Sequence, residues 1–386
     1  MDIKALAQDA APYVVERRHY YHQHPELTGE EKNTRDAIHR DLEALGITDI
    51  RDMVNCYGLV ATIHGGKPGK TVGLRADTDA LSFQEETGLP FASCELGKMH
   101  ACGHDTHIAM LLGAAKLLQE HREELRGDVR LIFQPAEEHV IGSKAMIAEG
   151  ALDGVDAIFG QHVWGTLDIP YIDVTAGPRM AYSGRFTVDV IGTSSHAATP
   201  HLGADAITGA AAIINNLQQY VSRMSNPLDP VVLTIGTISG GNRYNAIANH
   251  VTMEGVTRAY FLDKHEEAMR QIVENTAEGL GMKAVLKYAH VVHPVINDDD
   301  DLTEIAQKAV VKLFGEETLC HMPAMMGSED FAAEIPAVFG FIGCRDEANG
   351  MIYNNHHEKF TVNESLLPKG TALMAQFAVD YLAGNA

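Results

Sequence analysis

Apolar residues along the chain follow patterns that predict alternating helices and strands. Segments 2–22 and 30–45 have the spacing of amphipathic helices, and the second ends at Gly46. The runs YGLVATIH and TVGLRAD, on either side of the turn GGKPGK, are typical of strands, as are VRLIFQ and AIFGQ. The run IAMLLGAAKLLQEH predicts another helix, with Asp105 or Thr106 as the expected cap. This alternation favours an α/β fold with a mostly parallel sheet that is covered on both faces.

The pattern changes near Ala176, where a second kind of unit begins. The elements expected there are a strand (185–191), a helix (204–224), two strands (231–238 and 250–260), a helix (263–280) and a strand (282–291). This βαββαβ order is the ferredoxin-like pattern. A helix (301–314), the strand AVFGFIG and a helix (364–383) then resume the first style. We therefore predict an α/β domain built from residues 1–177 and 293–386, with a ferredoxin-like α+β domain inserted at 178–292.

Length and charge narrow the possible functions. The 386 residues exceed the size at which a single core usually splits, and no apolar run has the length of a membrane span. The N-terminus lacks a basic start followed by an apolar core, so no export signal is visible. The net charge of −22 disfavours binding to nucleic acid, and five widely spaced cysteines fit reduced thiols. We expect a cytoplasmic protein with no nucleic-acid or membrane partner.

Side chains able to bind a metal ion occur at the ends of several predicted elements. They are Asp77 and Asp79 after TVGLRA, Cys102 and His104 before a helix, Glu137 and Glu138 after VRLIFQPA, His162 after AIFGQ, and His356 and His357 in YNNHHEKF. Each one alone also fits a structural histidine, a solvated acid or a small buried thiol. Because loops at the carboxyl ends of strands converge on one crevice, the set together favours a metal site.

The adjacent glutamates fit the chemistry of amide hydrolysis. That reaction at neutral pH needs an activated water and a base that moves its proton. Glu137 and Glu138 follow a strand and a proline, so their side chains are expected in a loop. One carboxylate can then bind a metal ion while its neighbour holds the water.

Seven motifs then occur in order: RADTDAL, MHACGHDTH, QPAEE, GQHVW, SSHAATP, GSEDF and HHEKF. With HQHPELTGEE near the start and YNAIAN…GVTR in the insert, they cover nearly the whole chain. The chain resembles the aminoacylase/hippurate hydrolase/auxin-conjugate hydrolase branch of the dinuclear metallopeptidase–deacetylase superfamily. The resemblance implies the same layout, with a catalytic domain (1–177 and 293–386) and an inserted lid or dimerisation domain. It also implies a homodimer or a higher homo-oligomer.

The resemblance implies roles for individual residues. The matches to metal ligands are Cys102, His104, Glu138, His162 and His356, which would hold two divalent ions. Glu137 matches the general base, and His196 matches a residue that stabilises the oxyanion, often in the partner subunit's site. A thiolate ligand favours zinc, while manganese, cobalt and nickel also fit.

The same resemblance implies hydrolysis of the amide bond of an N-acyl amino acid. Asn245 and Arg258 match positions that contact the substrate's carboxylate or carbonyl, although a structural role for Arg258 is an equal alternative. We expect Asp77 or Asp79 to orient a ligand histidine from the second sphere or, alternatively, to cap a loop. His100 and His107 are expected to be supporting residues.

Three other functions are compatible with parts of this pattern. The first is a dinuclear metallo-dipeptidase or carboxypeptidase that acts on small peptides. The second is metal-free catalysis by Cys102 with His104, which would leave Glu138, His162 and His356 without a role. The third is a non-catalytic protein that binds a metal ion or a small molecule on the same scaffold.

Overall fold

A computed structural model describes residues 1–261, 265–331 and 335–384. These residues form two compact units. The first contains Met1–Arg179, Ile296–Pro323 and the chain from Asp330 onward, and the second contains Met180–Val295 with Ala324–Glu329. The predicted domain boundaries at 177/178 and 292/293 lie near these junctions. Their status as boundaries of folding domains stays a prediction.

The helices and strands are numbered in chain order. The helices are α1 (Ile3–Gln23), α2 (Lys32–Ala44), α3 (His104–Glu120), α4 (Gly142–Ala148), α5 (Ala206–Gln219), α6 (His265–Gly279), α7 (Asp300–Phe314) and α8 (Leu367–Gly384). The strands are β1 (Asp49–Asp52), β2 (Leu59–Ile63), β3 (Lys67–Asp77), β4 (Arg126–Gln134), β5 (Ala157–Asp168), β6 (Ile172–Asp173), β7 (Gly177–Met180), β8 (Tyr182–Ile191), β9 (Val232–Gly240), β10 (His250–Ala259), β11 (Lys283–Val292), β12 (Val295–Asn297), β13 (Leu319–Cys320) and β14 (Ala337–Arg345).

The first unit is built on an eight-stranded sheet with the order β1-β2-β4-β3-β5-β14-β6-β13. Its centre, β4-β3-β5-β14, is parallel, whereas β1 and β2 add antiparallel strands at one side. The prediction of an α/β fold with a mostly parallel sheet is confirmed. The strand predicted at AIFGQ is longer than expected, because β5 continues to Asp168 and therefore includes His162.

Helix α3 lies in the core of this unit. All residues from His104 to Ala115 are buried, as expected for a helix that is apolar on every face. It packs between α1, α8 and the strand β3, and all four share one hydrophobic core. This packing fixes the position of the N-terminus of α3, where two of the predicted metal ligands lie.

The second unit has the predicted βαββαβ order. Its antiparallel sheet has the order β11-β8-β10-β9, and α5 and α6 pack against the sheet around a separate hydrophobic core. The helix predicted at 204–224 ends earlier, since α5 stops at Gln219 and a π-helical turn follows at Tyr220–Met224. Residues 263 and 264 of the next predicted helix lie outside the described residues.

None of the helices in the described residues combines the length and the apolar composition that crossing a bilayer requires.

Candidate metal centre

A glycine places the first two candidate ligands at the start of α3. Gly103 precedes the helix with φ +95°, and a Cβ atom there would lie 2.4 Å from Val163 Cγ2. Only glycine combines this left-handed conformation with such a close approach at little cost. The prediction that Asp105 or Thr106 caps the helix is wrong, because Gly103 is the N-cap residue and no side chain caps the helix. The carboxylate of Asp105 instead turns into the core.

His104 has one nitrogen engaged and one left without a partner. Its Nδ1 atom donates to the backbone carbonyl of Asp79 at 2.9 Å, so in the neutral ring the lone pair is on Nε2. The side chain is fully buried, and Nε2 has no hydrogen-bond partner among the described residues. A buried acceptor without a partner costs free energy unless something else satisfies it. A metal ion is a partner of the required kind.

The structure brings all five predicted ligands together. Cys102, His104 and Glu138 offer ligand atoms that lie within 4.8 Å of one another. His162 joins them through its Nε2 atom, 3.4 Å from Cys102 Sγ, while its Nδ1 donates to the carbonyl of Val163 at 2.6 Å. His356 joins from the other side, with Nε2 3.2 Å from Glu138 Oε1. The site thus collects donors from four separate segments.

His356 has a strained backbone that is tied to the loop of Cys102. Its φ is +64°, in the left-handed region that residues other than glycine rarely occupy. Its backbone N–H donates to the carbonyl of Ala101 at 2.8 Å. Strain of this kind persists where the surroundings fix the conformation, often at functional sites.

The turn that carries Glu137 and Glu138 begins directly after β4. Ala136 has φ +56°, and both glutamate amides donate to one carboxylate, that of Asp79, at 3.1 Å each. Asp79 therefore contacts His104 through its carbonyl and the glutamate turn through its carboxylate. The backbone carbonyl of Asp79 contacts a histidine and its carboxylate caps a loop, which were the two alternatives expected for this residue.

Asp77 contacts a different histidine from the one expected. Its Oδ1 atom accepts from His107 Nδ1 at 2.5 Å, and Val163 N–H donates to His107 Nε2 at 2.9 Å. Both nitrogens of His107 are therefore used, and this histidine acts as a spacer between Asp77 and β5. Asp77 Oδ2 nevertheless lies 3.7 Å from His104 Nε2, so its charge reaches the site.

The electrostatics of the cluster favour a cation. Burial opposes protonation of His104, but Asp77, Asp79 and Glu138 raise its pKa to about 10. Burial and the charges of Glu138 and Glu137 raise the pKa of the Cys102 thiol well above its ordinary value. A nucleophilic cysteine needs the opposite shift, so these surroundings argue against metal-free catalysis by Cys102. A bound divalent cation would deprotonate both groups.

The donor set fits two divalent ions. It combines a thiol, imidazoles and a carboxylate, the ligands that borderline metals prefer. Two of its atoms, His104 Nε2 and Glu138 Oε1, are buried and lack a hydrogen bond of acceptable geometry among the described residues. His104 and Glu138 belong to the group whose ligand atoms lie within 4.8 Å of one another, and a metal ion held there would satisfy these atoms.

Glu137 lies beside the candidate ligands. Its side chain is buried, and Oε2 is 4.0 Å from His104 Nε2. Its carboxylate also approaches that of Asp330 to within 4.8 Å. Asp330 in turn accepts from Arg75 Nη2 at 3.2 Å and Gln134 Nε2 at 2.6 Å.

The remaining predicted site residues lie in the second unit. The loops of His196 and Asn245 are paired there, since Ala197 N–H donates to the carbonyl of Asn245 at 3.2 Å and His196 bridges to Ala246. His196 is exposed, and its Nδ1 accepts from Ala198 N–H at 3.0 Å. In the neutral ring the proton is therefore on Nε2.

Arg258 is half-buried on β10 and donates to the hydroxyl of Ser328. No carboxylate pairs with it among the described residues, and burial lowers its pKa.

Sequence reasoning assigned no role to a group of residues behind the metal ligands. Arg18 and His22 of α1 bind the carboxylate of Asp105, and Thr28 and Glu31 contact the loops that carry Asp79 and Ala136. Three of these residues, His22, Thr28 and Glu31, lie in the motif HQHPELTGEE, which was noted without a function. The sequence feature that could have indicated these residues is a polar motif next to the end of a predicted helix.

Comparison with known proteins gives the same assignment as the geometry. The model of Peptidase family M20/M25/M40 matches residues 73–380. The chain is 38% identical over 390 residues to IAA-amino acid hydrolase ILR1-like 2 of Arabidopsis thaliana, covering 99% of this chain and 88% of that protein. It is also 38% identical to N-acetyl-L-cysteine deacetylase of Bacillus subtilis, covering 100% and 94%.

A solved structure agrees with these matches. The YXEP protein of Bacillus subtilis, described as a dinuclear metal binding peptidase from the M20 family, superposes with a TM-score of 0.86 at 35% identity, covering 97% of this chain and 99% of that one. The buried, unsatisfied donors and these similarities agree on a metal-dependent hydrolase of amide bonds. The chain belongs to peptidase family M20/M25/M40.

Proposed function

We propose that this protein hydrolyses the amide bond of N-acyl amino acids, releasing a carboxylate and a free amino acid. One observation carries the proposal: ligand atoms of Cys102, His104 and Glu138 lie within 4.8 Å of one another, His162 approaches Cys102 and His356 approaches Glu138. His104 Nε2 has no hydrogen-bond partner among the described residues, and the buried carboxylate of Glu137 lies 4.0 Å from it. The names of two relatives, an IAA-amino acid hydrolase and an N-acetyl-L-cysteine deacetylase, describe proteins that act on such compounds.

Two divalent ions would be held by Cys102, His104, Glu138, His162 and His356. When bound, they supply a Lewis acid that lowers the pKa of water and polarises the amide carbonyl. The thiol among the ligands favours zinc, and manganese is the main alternative. Cobalt or nickel also fits this donor set.

Glu137 is the proposed general base. It accepts the proton of the attacking water and then passes it to the nitrogen of the leaving amine. Its position supports this role, because it is adjacent in sequence to the ligand Glu138 and its Oε2 atom lies 4.0 Å from His104 Nε2. Since the amides of both glutamates donate to Asp79, the backbone that carries the two side chains is held in place.

Three residues of the second unit are proposed to bind the substrate. The Nε2–H of His196 provides a donor for the oxyanion, and the tautomer that Ala198 N–H fixes is the one required. Arg258 is a partly desolvated cation without an acidic partner among the described residues, which suits it to the substrate's carboxylate. Asn245 is proposed to contact the substrate's carbonyl.

We also propose that the protein forms a homodimer through the second unit. Strand β9 (Val232–Gly240) carries no charged residue, pairs only with β10 among the described strands, and is mostly exposed. An uncharged edge strand of this length is suited to pairing with a second copy. Light scattering during size-exclusion chromatography gives the mass that checks this proposal.

The function is tested by turnover of acetyl- and benzoyl-amino acids in wild-type protein and in the variant Glu137→Gln. We expect hydrolysis of at least one N-acyl amino acid and a loss of roughly 10²–10⁴-fold in kcat with Glu137→Gln, with metal content unchanged. Glu86→Gln, which changes an exposed glutamate, is the matched control. Turnover of dipeptides alone would favour the dipeptidase or carboxypeptidase alternative, and turnover of Glu137→Gln within tenfold of wild type would exclude this mechanism.

A further inference from the structure

The segment Glu26–Glu31 runs along the loops that carry the proposed catalytic groups. Leu27 pairs in parallel with Ala80, and the N–H of Ala80 donates to the carbonyl of Glu26 at 2.8 Å. This pairing brings the polar side chains of the segment next to Asp79 and to the turn after β4. The metal ligands use none of these side chains, so their placement needs another explanation.

Thr28 is the first of two contacts. Its hydroxyl donates to Asp79 Oδ2 at 2.6 Å. The same oxygen accepts from the N–H of Glu138, while Oδ1 accepts from the N–H of Glu137. The Thr28 hydroxyl therefore restricts rotation of the carboxylate that holds both glutamate amides.

Glu31 is the second contact. Its buried side chain accepts from the N–H of Ala136 through Oε1 at 2.9 Å, and Oε2 has no partner among the described residues. Burial raises the pKa of this carboxyl to about 7, so a neutral side chain is compatible with the site. Ala136 has φ +56°, a left-handed conformation that is strained for a residue other than glycine. The turn needs contacts from outside to keep this conformation.

We propose that Thr28 and Glu31 are positioning residues that hold the Glu137–Glu138 turn in its strained conformation. The backbone N–H groups of three consecutive residues, Ala136, Glu137 and Glu138, then donate to carboxylates. Glu31 supplies the carboxylate for Ala136, and Thr28 orients that of Asp79, which accepts from the other two. The turn directs one glutamate to the proposed metal ions and the other to the water. This inference rests on the proposed roles of Glu137 and Glu138.

The chain offers variants that separate positioning from folding. Thr28→Val removes the hydroxyl while keeping the shape, and Glu31→Ala removes the acceptor for Ala136. Thr28→Ser and Glu31→Gln restore a hydroxyl and a neutral acceptor, respectively. Glu30→Ala is the matched control, because Glu30 is an exposed neighbour whose carboxylate pairs with Lys98.

The first measurement is hydrogen–deuterium exchange of the metal-free protein, read on peptides that cover residues 136–138. We expect exchange at these amides to be at least about tenfold faster in Thr28→Val and Glu31→Ala, because a hydrogen bond of the turn is weakened or lost. Thr28→Ser, Glu31→Gln and Glu30→Ala keep the wild-type rate. Unchanged exchange in both Thr28→Val and Glu31→Ala would overturn the proposal.

The second measurement combines metal affinity and kinetics. Zinc affinity, from competition with a chromophoric chelator, and kcat are expected to fall roughly tenfold to hundredfold in Thr28→Val and Glu31→Ala, as for other outer-shell partners. KM should change by less than about threefold, because the defect lies in catalytic groups and not in substrate binding. Wild-type affinity and kcat in both variants would overturn the positioning role. Faster exchange together with an inactive wild-type protein would preserve the structural claim and reject only the proposed function.

Discussion

His104 and Asp105 are consecutive, fully buried residues at the start of α3, and their surroundings differ in one decisive respect. The carboxylate of Asp105 is paired with two cations, since Oδ2 accepts from His22 Nδ1 at 2.9 Å and from Arg18 Nε at 3.2 Å. His104 keeps Nε2 without a partner among the described residues, in a pocket of carboxylates. A satisfied buried charge stabilises the fold, whereas an unsatisfied one marks the place where a ligand completes the structure.

The two networks also differ in how far they reach. The Asp105 network continues through His22 Nε2 to Glu85 at 3.2 Å and through Arg18 Nη1 to Glu364 at 2.9 Å. It therefore links α1, α3, the loop near residue 85 and the segment before α8. The metal cluster, by contrast, joins loops whose donors converge on one point. The first network holds the position of α3, and the second uses that position.

The largest expected effect separates the two residues by metal binding. His104→Asn should lower zinc affinity by roughly a thousandfold or more, well beyond the effect of an outer-shell residue, because it removes a ligand atom. Because Asp77, Asp79 and Glu138 raise the pKa of His104 to about 10, its charge stabilises the metal-free fold below that pH, and only above about pH 10 should the unfolding midpoint of metal-free His104→Asn come close to that of the wild type. Competition titration and thermal unfolding check the two halves. Wild-type affinity in this variant would contradict the assignment.

The neighbouring residue should show the opposite behaviour. Asp105→Asn leaves the buried cations of Arg18 and His22 with less compensation, so we expect the metal-free protein to lose about 3–5 kcal/mol of stability. Urea unfolding of the metal-free protein measures this loss. Wild-type stability in Asp105→Asn would contradict the structural role of this network.

The smallest of these effects is a pH dependence at His22. Burial opposes protonation, but the charge and hydrogen bond of Asp105 and the hydrogen bond of Glu85 raise the pKa of His22 to about 9. The stabilisation is therefore complete below the unfolded value near 6.5 and is lost as the pH rises through about 9. His22→Asn should be less stable than wild type by up to about 3 kcal/mol at pH 6 and nearly equal at pH 10.

Urea unfolding of the metal-free protein at a series of pH values measures this difference. His24→Gln, which alters an exposed histidine at the end of the same helix, is the control and should show no comparable pH dependence. A constant difference between wild type and His22→Asn from pH 6 to pH 10 would show that the charge of His22 does not contribute.

The sequence predicted the elements because their residues follow simple periods. The βαββαβ order of the insert and the helix at IAMLLGAAKLLQEH were visible from apolar spacing alone. The cap of that helix was predicted wrongly, because Asp105 has the usual chemistry of an N-cap but is used in the core by Arg18 and His22. Capping preferences are local, and a buried partner from α1 overrides them.

The ligand set came from motifs, while the residues behind it required coordinates. Cys102 and His104 carry recognisable metal chemistry at a helix start, which local sequence can indicate. Thr28 and Glu31 act through Asp79 and Ala136, and the sequence gives no sign of which loop they touch. The role of His107 was equally hidden, since it depends on Asp77 and on a backbone N–H of β5. Contacts between distant segments decide such roles.

The central claim is that the unsatisfied donors around His104 bind metal ions that are required for amide hydrolysis. The most direct test is elemental analysis of the purified protein before and after chelation, with hydrolysis of a panel of N-acyl amino acids measured on both samples. The account predicts close to two divalent ions per chain, loss of hydrolysis on chelation and recovery with zinc or manganese. Full activity in protein free of metal would contradict it and would return the chemistry to Cys102.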